Sequence, residues 1–114
     1  MSERDKLLLQ DMLLFAQRVS RRVVDRVRPD LEADDEALGG LVVRELAVIG
    51  EAANHLSQPL IDSYPEIEWR AIVAMRNRII HGYTNVNWDV VWDVCTKNVP
   101  VLITQLERIL AAHS

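Results

Sequence analysis

The chain has 114 residues, a net charge of −4 and a composition 49% apolar and 26% charged. That describes one globular domain spanning 1–114 with a core of modest size. It argues against nucleic-acid binding spread over the whole surface, but leaves room for a local cluster of arginines. No apolar run approaches bilayer-spanning length, and Met-Ser-Glu-Arg-Asp-Lys at the start lacks the features of a signal peptide, so a cytoplasmic protein without membrane contact is expected. The single cysteine, Cys95, lies inside an apolar pattern and reads as inert packing.

From Asp5 to about Val27, Leu8, Met12, Phe15, Val19, Val23 and Val27 recur at helical spacing, and Pro29 is expected to end the helix. Leu7, Leu9, Leu13 and Leu14 add a second apolar strip, which serves either core packing or a partner surface. Charge is segregated: Arg18, Arg21, Arg22, Arg26 and Arg28 are followed by Asp30, Glu32, Asp34, Asp35 and Glu36. Two readings are open, a solvated face with an acidic loop or an electrostatic footprint for RNA or an acidic partner.

A second helix is expected to begin near Asp34 or Asp35, with Val42, Leu46, Ile49, Ala53 and Leu56 as its stripe. Gly39 and Gly40 would let a neighbour approach closely. Glu45 is expected on the solvated face, and Glu51, among small residues, semi-buried and useful to a site. Pro59 and Pro65 bracket a short helical turn. A third helix is expected from Glu68 to Ile80, with Ile72, Met75 and Ile79 in line and Gly82 as its stop. Asn85 to Asn87 should cap a fourth helix running almost to the C-terminus and kinked at Pro100. No strand is expected. The fold class is all-α, an up-down four-helix bundle with one extra helical turn between its second and third long helices.

The chemistry concentrates in Met75-Arg76-Asn77-Arg78-Ile79-Ile80-His81-Gly82-Tyr83. Arginine grips phosphate oxygens, and histidine exchanges a proton near neutral pH. Together they suit metal-independent RNA cleavage, although a histidine near a helix end also serves as a dipole cap. On an ideal helix Arg76 and His81 would lie about 140° apart, so they converge only if the helix ends early or two chains share the site. Asn77, four before His81, would share its face and orient the imidazole, and Arg78 would add a second cation. The three histidines, His55, His81 and His113, have no zinc-ligand spacing, and no metal or other cofactor is expected.

The segments Arg44-Glu45-Leu46-Ala47-Val48-Ile49-Gly50-Glu51-Ala52-Ala53-Asn54, Tyr64-Pro65-Glu66-Ile67-Glu68-Trp69-Arg70, Met75 through Tyr83, and Trp88-Asp89-Val90-Val91-Trp92 together resemble the HepT family of HEPN-domain proteins. The resemblance covers essentially the whole chain. It implies a metal-independent ribonuclease toxin that cuts tRNA or mRNA, paired with an MntA-type minimal nucleotidyltransferase antitoxin. It assigns cleavage to Arg76 and His81, and AMP acceptance to Tyr83. It also implies a homodimer with the two motifs facing each other. The alternative is a non-catalytic HEPN module that binds nucleotide or substrate for a nucleotidyltransferase.

Overall fold

A computed structural model of the chain describes residues 1–81 and 85–113, leaving aside the side chain of His81. The fold is all-α. Helix α1 (Glu3–Val23) is capped by Ser2, whose hydroxyl accepts from the Asp5 N–H. Its buried apolar line is Leu9, Met12, Ala16, Val19 and Val23: Met12, Val19 and Val23 are as expected, while Leu9 and Ala16 take the places of Leu8 and Phe15, which only flank the core.

The helix stops at Val23, four residues before the expected Val27. Asp25 adopts a left-handed conformation (φ 62°), and the Arg26 N–H bonds back to the Val23 carbonyl at 3.1 Å. Asp is among the few residues that tolerate this region. Pro29 therefore does not end a helix. It opens one, α2 (Arg28–Ala33), where its missing N–H costs nothing.

Asp35–Gly39 then forms a wide π turn closed by Gly39 N–H to Asp34 O (2.9 Å), and α3 (Gly40–Asn54) continues from it. The expected close approach at glycine is present. A Cβ on Gly39 would sit 2.4 Å from the Leu31 carbonyl and 2.5 Å from the Trp88 indole. α4 (Gln58–Ser63) is the anticipated extra turn, capped by Ser57.

The third long helix is instead two short ones, α5 (Trp69–Val73) and α6 (Met75–Ile79), separated at Ala74 (φ −80°, ψ 1°). Strands β1 (Ile80–His81) and β2 (Asn85–Val86) pair antiparallel, a local ladder that period-3.6 reasoning did not anticipate. Asn87 caps α7 (Trp88–Asp93), its side chain accepting from the Val90 N–H at 3.2 Å. Helical backbone then continues through a π turn, Val94–Asn98, into α8 (Val99–Ala112). The irregularity expected at Pro100 falls in that preceding turn, which widens where the proline can donate no hydrogen bond.

α1 packs against both α3 and α8, and α3 also meets α5 and α6. Met12, Val19, Leu46, Ile49, Ile79, Val91 and Leu106 are fully buried in one cluster. Among the described residues, no helix is long and apolar enough to cross a membrane.

Candidate active site

The corner that carries the Arg-Asn-Arg-Ile-Ile-His segment is anchored from below. Met75 and Ile79, one turn apart, are buried with Ile72, as their spacing predicts. Gly50 brings α3 against this region: a Cβ there would lie 2.8 Å from the Ile72 carbonyl, so nothing larger fits without backbone movement. With the apolar residues pointing in, Arg76, Asn77 and Arg78 face outward and are exposed.

The helix ends sharply. Ile80 is extended (φ −114°, ψ 121°), its N–H still donating to the Arg76 carbonyl. His81 pairs through its backbone with Asn85, Ile80 with Val86, and the Asn87 N–H donates to the Ile79 carbonyl at 2.8 Å. The β-branched pair Ile79-Ile80 favours that switch to extended backbone. This early end removes the helical premise of a 140° separation between Arg76 and His81. It also removes the reason for stacking Asn77 or Arg78 against the imidazole, because His81 is not on the helix. Gly82 as helix stop and Tyr83 as AMP acceptor lie outside the described residues, and the helix has ended at Ile79 before either is reached.

Arg76 and Arg78 have no ion-pair partner among the described residues. They sit about 200° apart around α6 and so point to different surroundings. Arg78 lines a groove of about 340 Å³ with Glu66, Glu68, Met75, Asn98 and Gln105, whereas Arg76 does not.

The two glutamates of α3 exchange their expected places. Glu45 is buried, only 4% exposed, and Arg22 grips both its oxygens from α1, Nε to Oε1 at 2.5 Å and Nη2 to Oε2 at 3.3 Å. The Glu45 hydrogen bonds, outweighing burial, raise the Arg22 pKa further above its ordinary value. The clue was present in the sequence: Glu45 stands three after Val42 and four before Ile49, inside the stripe rather than off it. Glu51 is exposed and pairs with His55 (Oε1 to Nε2, 2.9 Å) one turn along the same helix. Its expected semi-burial is thus corrected.

Asp5 was not anticipated as a buried group. It is 3% exposed and accepts from both the backbone N–H (2.9 Å) and the hydroxyl of Ser57, tying the start of α1 to the cap of α4. Burial pushes its carboxyl pKa up, but the Ser57 and Ser2 hydrogen bonds and the Arg4 charge outweigh that, leaving it below the ordinary value. Cys95 is buried, and desolvation drives its thiol pKa up to about 12, so it stays protonated and unreactive.

The described residues thus form an all-α bundle with exposed Arg76 and Arg78 beside a helix-to-strand corner. The chain belongs to the ribonuclease HepT-like family, whose profile matches residues 12–109. A protein of Methanocaldococcus jannaschii named as a proposed RNase is 36% identical over 69 residues, 60% of this chain and 57% of its own length. Another so named, from Caldanaerobacter subterraneus subsp. tengcongensis, is 34% identical over 76 residues, covering 67% of this chain and 68% of the relative. The Thermococcus cleftensis protein named probable ribonuclease HepT is 34% identical over 68 residues, 60% of this chain and 62% of that one. No solved structure matches the chain.

Proposed function

We propose that this chain is a metal-independent endoribonuclease toxin with Arg76 and His81 as its catalytic residues. In this reading the ribose 2′-oxygen attacks the adjacent phosphorus as the bond to the 5′-oxygen breaks, and His81 moves a proton at one of those oxygens. Arg76 neutralises the charge that builds on the non-bridging oxygens. The observation that carries the reading is the abrupt end of α6, which follows exposed Arg76, without an ion partner among the described residues, by one turn and puts His81 on the next extended segment. Asn77, Arg78 and Glu51 are assigned supporting roles.

The finer reading is carried over from the family resemblance. A minimal nucleotidyltransferase of MntA type, the antitoxin, transfers AMP from ATP to Tyr83: the hydroxyl oxygen loses its proton and attacks the α-phosphorus as pyrophosphate leaves, and each added phosphodiester places a negative charge and a bulky base beside the cationic corner. Two copies of the chain form a homodimer with their corners facing. Exposed Leu7 and Leu14, seven residues apart on α1, support an apolar contact surface of that kind.

Expression of the chain alone tests the reading. It should arrest growth and cleave RNA in the presence of EDTA, while Arg76→Ala and His81→Ala should do neither. Co-expression with the nucleotidyltransferase should add mass in whole AMP units, abolished by Tyr83→Phe. Normal growth and intact RNA with folded, unmodified protein would overturn it. If His81→Ala altered only partner affinity, the non-catalytic binding module would stand in its place, with Arg76 and Arg78 as cations for the C-terminal end of α6.

A further inference from the structure

The five arginines between Arg18 and Arg28 separate into two groups. Arg22 is bound to Glu45, and Arg28 to Asp89 and Glu32. Arg18, Arg21 and Arg26 have no carboxylate partner among the described residues, although Asp25, Asp34, Asp35 and Glu36 are close in sequence. These three and Arg22 line one open hollow of about 520 Å³, completed by Val24 and Leu38, and no acidic side chain among the described residues lines it.

Local structure assembles this hollow. Arg18, Arg21 and Arg22 share a face of α1 through three- and four-residue spacing. Arg26, beyond the helix end, joins them because left-handed Asp25 turns the chain back. The Arg18 guanidinium rests over the Phe15 ring, 5.0 Å from its centre, which restrains the side chain without neutralising it. Like charges at such spacing destabilise a helix. The helix dipole offsets this for Arg21 and Arg22 in the last turn, but gives no account of Arg26, which lies past it.

We infer that this hollow is a second RNA contact, a phosphate-backbone site separate from the Arg76 and His81 corner. The ligand's identity rests on the ribonuclease reading above. Arginine forks left unpaired in an open depression match phosphate oxygens. A protein partner would call for a buried apolar or aromatic anchor, and here only Val24 and Leu38 are apolar. The contact is independent of base identity and sensitive to salt.

The test uses His81→Ala protein as the parent, so that RNA stays intact, and adds Arg18→Gln, Arg21→Gln and Arg26→Gln, sparing Arg22 because it holds Glu45. Binding of a fluorescein-labelled oligouridylate is followed by anisotropy across a salt series, with circular dichroism as the fold check. The triple variant should bind about tenfold more weakly, and its slope of log affinity against log salt should be shallower by about 2, at about 0.7 per lost phosphate contact. Should the triple variant not fold, Arg21→Gln and Arg26→Gln singly should each flatten the slope by about 0.7. Unchanged affinity and slope, or a parent that binds no RNA, overturns the inference. So does a loss confined to binding of the nucleotidyltransferase, which would make the hollow a protein-docking surface. RNA binding with a salt slope that depends on these arginines, in a chain whose unmutated form cuts no RNA, would sink the ribonuclease reading while leaving this contact in place.

Discussion

The α1–α3–α8 frame and the α5–α6–β1 corner treat charge in opposite ways. In the frame, the buried ionisable groups are matched: Arg22 holds Glu45, and Ser57 donates twice to Asp5. In the corner, Arg76 and Arg78 are exposed and lack ion partners among the described residues, and the one helix that carries both is five residues long. A surface cation without a partner adds little to stability, but is available to a phosphate. The two regions meet where α3 packs on α5 and α6, most tightly at Gly50 against the Ile72 carbonyl.

The sharpest way to break the comparison is at His81. His81→Ala should lower RNA cleavage by about 10²- to 10⁴-fold, the usual scale for a lost acid-base group, with a melting temperature unchanged within error. A large drop in melting temperature would assign the residue to the frame instead.

Arg22→Ala should do the reverse. It leaves the buried Glu45 carboxylate alone, at a cost of about 2–3 kcal/mol after allowance for the one-third exposure of Arg22 (33%). Denaturant melts should register that loss, and cleavage per folded molecule measured at low temperature should fall far less than in His81→Ala.

Gly50→Ala probes the joint between the regions. The added methyl would meet backbone at 2.8 Å, so α5 must shift; a cost of about 1–3 kcal/mol is expected, with cleavage reduced as well. Stability lost without any change in cleavage would show that the corner is positioned from elsewhere.

The smallest effect is expected at Asp5. Its folded pKa lies below the ordinary aspartate value of 3.8, so the unfolded chain binds the proton first as pH falls. The stabilisation is fully present above that unfolded value and is lost as pH falls through the lower folded one. Asp5→Asn should therefore cost about 1–2 kcal/mol at neutral pH, and the gap from the unmutated protein should narrow below pH 3.8 in melts across an acid series. A gap independent of pH would mean that shape, not charge, makes the contribution.

Much of this was legible in the residues themselves. Periodic apolar positions marked the helices, because burying one stripe is the only way such segments leave water, and Asn87 announced its cap by its chemistry. The segment from Arg76 to His81 stood out because few residue types both bind phosphate and exchange protons. Boundaries were harder. Pro29 can end one helix or begin the next, and Asp25 decided between them by taking a conformation that no pattern encodes.

What the sequence determined by itself was the helical class and which segment, Arg76 to His81, is the one to test, since both depend on local spacing and side-chain chemistry. Only the tertiary structure decided that Glu45 rather than Glu51 is buried, and that His81 leaves the helix. The first depends on Arg22 arriving from another helix to compensate a buried charge. The second depends on Ile80 and Val86 pairing between strands, which neither residue specifies alone.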